Sequence, residues 1–143
     1  MEKKGKNKLI IQGIIFVISF GIAFFGASYF LSKNKDTPNA MLVEASKEMN
    51  QSMPKMIDAE TRLDSTSVGN ETLNYHYTLV NVLKDSSVVD YEAVKSEMMK
   101  KAQNNIDTNE AMKEYRENDI SLHYIFKDKK QNDVFDYTVK HQK

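Results

Sequence analysis

The sequence predicts an α+β fold: an N-terminal transmembrane helix, then a small domain with a four-stranded antiparallel sheet packed by helices, in the order α-β-β-α-α-β-β. Three observations carry this reading. One apolar run is long enough to cross a bilayer, two segments repeat apolar residues at helical spacing, and two pairs of alternating or aromatic-rich segments are joined by turn residues.

Residues 1–8 read as a basic cytoplasmic tail and 9–31 as an uncleaved membrane helix. Residues 32–37 read as a linker and 38–143 as an extracytoplasmic domain. Leu9 to Leu31 holds 23 residues without a charge, enough at about 1.5 Å per residue to span a hydrocarbon core of roughly 30 Å. Lys3, Lys4, Lys6 and Lys8 precede it, while Lys33 and Lys35 follow. That bias places the N-terminus in the cytoplasm, the span in a bacterial inner membrane and the rest in the periplasm or outside. Gly26, Ala27 and Ser28 offer the alternative of a cleaved signal peptide, although the apolar run continues through Tyr29, Phe30 and Leu31. Ser19, Ala23 and Ala27 recur every four residues, the spacing of a helix-pairing face.

Beyond the linker, Asp36 or Thr37 can cap a helix that starts at Pro38. Met41, Ala45, Met49 and Met53 line one side of it, and Pro54 ends it. Ile57 to Val68 alternates apolar and polar residues as a half-buried strand does, and Gly69-Asn70 is a turn signal. Thr72 to Leu83 is rich in aromatic and β-branched residues and closes a hairpin. Tyr91, Val94, Met98, Ala102 and Ile106 mark a second helix. Asp107 with Glu110 fits a capping box for a short third helix carrying Ala111, Met112 and Tyr115. Ile120 to Phe126 and Val134 to Val139, joined by a charged turn, form the second hairpin. Both halves therefore read α-β-β.

The stretch MPKMIDAETRLD followed by LNYHYTLVN and AMKEYRENDISLHYIFKD resembles small exported bacterial proteins of unknown function. Pro54, Ile57, Asp58, Thr61, Arg62, Leu63 and Asp64 carry the likeness. Such relatives often place cysteines around the final hairpin, and this chain has none. The resemblance implies a protein of the bacterial envelope and brings no activity with it.

Composition narrows the function classes. Absence of cysteine excludes disulfides, thiolate metal sites, a cysteine nucleophile and a lipidated N-terminal cysteine. Residues 36–143 carry 14 basic and 19 acidic side chains, an acidic balance that disfavours nucleic acid. No GxSxG, HExxH, phosphate loop or EF-hand motif is present, so no catalytic, cofactor-binding or metal-ligating residue is assigned. His76 and His123 would approach each other if their strands were neighbours, but each also reads as an ordinary exposed strand residue. Asp58, Glu60 and Asp64 share one face of a regular strand, where Arg62 would neutralise them.

The surplus methionines suit a core or, exposed, an adaptable groove. The strand tyrosines have the same double reading. The expectation drawn from these features is a non-enzymatic protein-binding module. Its partner would be another envelope protein or an exported toxin, and the candidate contact residues are Tyr75, Tyr77, Tyr124, Tyr137 and Arg62. A small apolar ligand or lipid site in the helix–sheet groove is the alternative. A hydrolase using a histidine with a strand carboxylate is the third.

Overall fold

A computed structural model describes residues 37–86 and 89–143. The first helix, α1 (Pro38–Asn50), opens where Thr37 Oγ1 accepts a hydrogen bond from the Ala40 N–H at 3.2 Å, with proline in the first turn. It is followed by a two-residue strand, β1 (Lys55–Met56), and the hairpin β2 (Thr61–Gly69) and β3 (Thr72–Leu79). Asn70 and Glu71 both adopt positive φ, 48° and 57°, which makes the two-residue hairpin loop a left-handed turn matched to the strand twist. A 3₁₀ turn at Lys84–Ser86 leads to α2 (Tyr91–Thr108), capped by Asp90 on the Ala93 N–H. The 3₁₀ turn Glu110–Met112 and α3 (Lys113–Glu117) then deliver the chain to the hairpin β4 (Ser121–Asp128) and β5 (Asp133–Lys140).

The five strands form one sheet in the order β1-β2-β3-β4-β5. Within each hairpin the pairing is antiparallel, but β3 and β4 run parallel, with Tyr75 opposite Tyr124 and Tyr77 opposite Phe126. The expected four-stranded antiparallel sheet is thus corrected to a five-stranded mixed one. The cause is the connection. The stretch from Leu79 to Ser121 contains α2 and α3 and carries the chain back to the starting end of the sheet, so β4 enters beside β3 in the same direction.

The helices pack on one face. α1 lies against β2 and β3, and α2 lies against β5. Leu42, Ala45 and Met49 of α1 and Val94, Met98, Ala102 and Ile106 of α2 meet Leu63, Leu73, Tyr75, Tyr77, Leu122, Tyr124, Phe126, Phe135, Tyr137 and Val139 of the sheet. Two rows of rings cross this core. Tyr75, Tyr124 and Tyr137 stack with centroids 5.2 and 4.9 Å apart, and Tyr77, Phe126 and Phe135 with centroids 4.8 and 4.7 Å apart. Strand register puts one ring on each neighbouring strand at the same level, the arrangement in which cross-strand aromatic pairs add to burial.

Other expectations are corrected in detail. The first long strand begins at Thr61 rather than Ile57, because Asp58 Oδ1 accepts from the Glu60 and Thr61 N–H groups, both at 2.7 Å, and turns the chain there. Asp107 does not cap α3; α2 runs on to Thr108, and Asn109 Oδ1 accepts from the Ala111 N–H at 2.9 Å instead. Met49, Met98 and Met112 are core, whereas Met56 and Met99 are exposed.

The single-pass inner-membrane placement is also corrected: among the described residues no helix is long and apolar enough to cross a membrane. The run Leu9–Leu31 and the small-residue face Ser19, Ala23 and Ala27 lie outside the described residues.

Candidate functional site

Among the described residues no helix covers the opposite face of the sheet, and that face collects His76, His123, Asp64 and Arg62. Alternation along β3 sends Leu73, Tyr75 and Tyr77 inward and Asn74 and His76 outward; along β4, Leu122, Tyr124 and Phe126 go inward and His123, Ile125 and Lys127 outward. On β2 a bulge between Leu63 and Ser65 inserts Asp64 and shifts the inward parity from Leu63 to Thr66. Arg62, Asp64, Ser65 and Ser67 therefore border the outer face, as Asp136, Thr138 and Lys140 do on β5.

These side chains bond across the strands. His76 Nε2 lies 2.9 Å from Ser67 Oγ. Asn74 Nδ2 donates to the Ser67 carbonyl at 3.3 Å, which turns Asn74 Oδ1 toward His123 Nδ1 at 3.1 Å. His123 Nε2 then reaches Asp136 Oδ2 at 2.8 Å, so this one imidazole ties β3 to β5 over β4. Arg62 Nε donates to Asp64 Oδ1 at 2.5 Å, and Asp64 Oδ2 accepts from Thr78 Oγ1 at 2.5 Å. Gln131 from the second hairpin turn donates to Thr78 Oγ1 at 3.1 Å.

The histidines do share a face, but in the parallel register His76 stands opposite Ile125 and His123 opposite Asn74. Each ring is engaged with different partners. Burial lowers the His76 pKa from its ordinary value, the neighbouring Lys127 and His123 charges lower it further, and Asp64 partly opposes them. A neutral His76 ring is the consequence at pH 7. Among the described residues no group of three or more His, Cys, Asp or Glu is arranged to hold a metal ion.

The carboxylate trio is not assembled. Asp58 serves its turn, Glu60 accepts from Asn81 Nδ2 at 2.6 Å, and only Asp64 lies within a strand of the sheet.

Of the candidate partner residues, Arg62 stands on the outer face. Tyr75, Tyr77, Tyr124 and Tyr137 stand on the other one, at most 5% exposed, packed against the helices. As folded they present no surface to a partner. The sequence signal was there: Leu73 shares the parity of Tyr75 and Tyr77, and Leu122 that of Tyr124. Burial pushes the pKa values of all five core tyrosines, Tyr75, Tyr77, Tyr115, Tyr124 and Tyr137, upward.

Sequence reasoning missed Asp128. It is buried at the end of β4, where it receives the Lys84, Lys130 and Asn132 N–H groups at 3.1, 2.8 and 3.0 Å and the Asn132 side-chain amide. It joins the 3₁₀ turn at residue 84 to the second hairpin. Two shallow depressions, of about 470 and 480 Å³, flank the C-terminal residues. Between them Asp107 Oδ1 holds His141 Nδ1 at 2.6 Å and the Gln142 N–H at 3.1 Å.

Two solved structures share this fold. A provisionally assigned secreted protein from Pseudomonas aeruginosa superposes with a TM-score of 0.55 at 16% identity, over 73% of this chain and 88% of its own. The pilotin EpsS of the type 2 secretion system of Vibrio vulnificus superposes with a TM-score of 0.55 at 6% identity, over 71% of this chain and 86% of its own. At such identities the likeness shows the fold alone. It is consistent with the resemblance to small exported proteins noted above. No curated protein matches the sequence. The family model described as a domain of unknown function, DUF8479, matches residues 36–135, and the chain belongs to that family.

Proposed function

We propose that this domain is a non-catalytic accessory of a cell-envelope assembly and acts by binding another protein of that assembly. The uncovered sheet face carries the reading. Its titratable side chains are spread over a broad surface and bonded to one another instead of converging on a cleft, an arrangement that suits contact better than turnover. Its charge also differs from that of the rest of the domain. The face carries Arg62, Lys127 and Lys140 against Asp64 and Asp136, together with His76 and His123, whereas residues 36–143 as a whole hold 14 basic and 19 acidic residues. A partner with an acidic contact surface complements it. The fold shared with a secretion pilotin supports the same class of role.

Site-specific photocrosslinking tests this in cells. A photoreactive residue at Ile125, in the middle of the face, is expected to capture one dominant envelope protein. The same residue at Lys100, on the solvent side of α2, is expected to capture none. Equal or absent capture at the two positions overturns the reading. Arg62→Gln, which removes the charge but keeps an N–H for Asp64, serves as the charge control and should weaken capture at Ile125, with circular dichroism melting to check that the fold is kept.

A further inference from the structure

The two edges of the sheet are finished differently. On the β2 side, β1 pairs with Arg62 and Leu63, the bulge at Asp64 breaks the register, and Asn50 bonds both the N–H and the carbonyl of Thr66. These are the usual means by which an edge is closed to further strands.

On the β5 side the register determines which backbone groups are left. The Ser121 N–H donates to the Glu71 carbonyl at 3.0 Å, so Ser121 points toward β3 and its partner Lys140 turns its own N–H and C=O away from β4. Alternation along the strand turns Thr138 and Asp136 outward with it. The Lys140 carbonyl accepts from Gln103 Nε2 at 2.7 Å, while Thr138 and Asp136 face the end of the sheet.

We propose that this edge pairs with β5 of a second copy of the chain, antiparallel about a twofold axis at Thr138. Charge selects the register. Centred on Thr138, Asp136 falls opposite the partner's Lys140, and by symmetry the pair forms twice. Centred on Asp136, two carboxylates would face each other. Asp136 is equipped for the contact, because His123 engages only its Oδ2 and leaves Oδ1 for the partner's Lys140. Asp136, Thr138 and Lys140 are exposed while Phe135, Tyr137 and Val139 stay in their own core, so each sheet keeps its packing and the open faces become continuous.

The chain contains no cysteine, which makes the test clean. In the full-length Thr138→Cys variant the two thiols meet across the axis at a separation a disulfide can span. Mild oxidation in intact cells should give a disulfide-linked dimer, and Ser67→Cys, on the same face near the closed edge, should give little. Adding Asp136→Lys or Lys140→Asp to Thr138→Cys should each cut the crosslinked fraction roughly tenfold, since both pairs turn repulsive. Combining the two charge changes should restore it. Circular dichroism melting of each variant separates loss of pairing from loss of fold, and rescue by the double swap cannot come from misfolding. A Thr138→Cys chain that stays monomeric overturns the proposal. So does one that crosslinks to a different protein, or one whose crosslinking ignores the charge changes.

Discussion

Asn50 presents its side-chain amide to Thr66 as a neighbouring strand would, Nδ2 donating to the Thr66 carbonyl at 2.9 Å and Oδ1 accepting from the Thr66 N–H at 2.7 Å. Asn50 is the last residue of α1, so the contact also fixes the helix against the sheet. Ser46, one turn earlier, meets Thr66 Oγ1 at 2.8 Å. Replacing Asn50 by alanine frees two backbone groups at a strand edge and should lower stability by about 1–2 kcal/mol. In urea unfolding the midpoint should fall with an unchanged slope. Asn50→Asp keeps the acceptor but not the donor and should fall between. A wild-type midpoint in Asn50→Ala would show that water replaces both bonds.

The hairpin loop makes an opposite prediction. Glu71 holds φ at 57°, a conformation that a side chain with a Cβ adopts reluctantly, and it follows Asn70 in the same conformation. Glu71→Gly creates the Asn-Gly pair this turn prefers. The backbone contacts remain, because Asn39 Oδ1 bonds the N–H and Ser121 the carbonyl of residue 71. Stability should rise by up to about 1 kcal/mol, read as a melting temperature roughly 4–8 °C higher. A drop would mean that the extra freedom of the unfolded chain outweighs the relieved strain.

These local features show what the chain makes legible. Pro38 after a cap, the four-residue stripe from Val94 to Ile106, and the alternation of β4 all reflect short-range geometry, and each element forms where its pattern lies. Strand direction is not such a pattern. Alternation states which face a side chain takes, not which strand lies beside it, so the parallel pairing of β3 with β4 was hidden. Nor does alternation set the register, which is offset by two residues from the one that would pair the two histidines. The bulge at Asp64 hid more: it reverses the face of every later residue in β2, so Thr66 turns inward where counting from Leu63 would send it outward. Asp58 and Glu60 escape the count for another reason, since the Asp58 turn keeps both out of the strand. The tyrosines were misplaced for a chemical reason, since a phenol suits both a core and a surface, and only their parity with Leu73 and Leu122 distinguishes the two.

Asp128 makes acid stability a test of one contact. Burial raises the pKa of its carboxyl, but the hydrogen bonds from Asn132, Lys84 and Lys130 outweigh that and lower it to about 2. A depressed folded-state value stabilises the protein above the unfolded value near 4, and that contribution is lost as pH falls through about 2. Wild-type stability should therefore decline between about pH 4 and pH 2. Asp128→Asn should be less stable at neutral pH, and its decline in the same window should be shallower. Asp107 and Asp119, also lowered, keep some slope in both proteins. Parallel pH profiles for the two proteins would remove Asp128 from the account.

The core tyrosines predict an unusual sign for losing a hydroxyl. The hydroxyls of Tyr124 and Tyr137 are buried with no hydrogen-bond partner among the described residues. Removing such a hydroxyl relieves a buried polar atom of its desolvation cost. Tyr124→Phe and Tyr137→Phe should therefore each leave stability in urea unfolding unchanged or raise it by up to about 1 kcal/mol. The ring stacking of Tyr75 with Tyr124 and of Tyr124 with Tyr137 survives either change, so packing does not confound the comparison. All of these phenols have raised pKa values from burial, so their contribution is complete below pH 10 and is lost as pH climbs toward the higher folded-state values. Alkaline unfolding followed by phenolate absorbance should be cooperative, the core tyrosines ionising together with loss of the fold. Gradual ionisation in a protein that remains folded would place the rings nearer to solvent than the sheet–helix core.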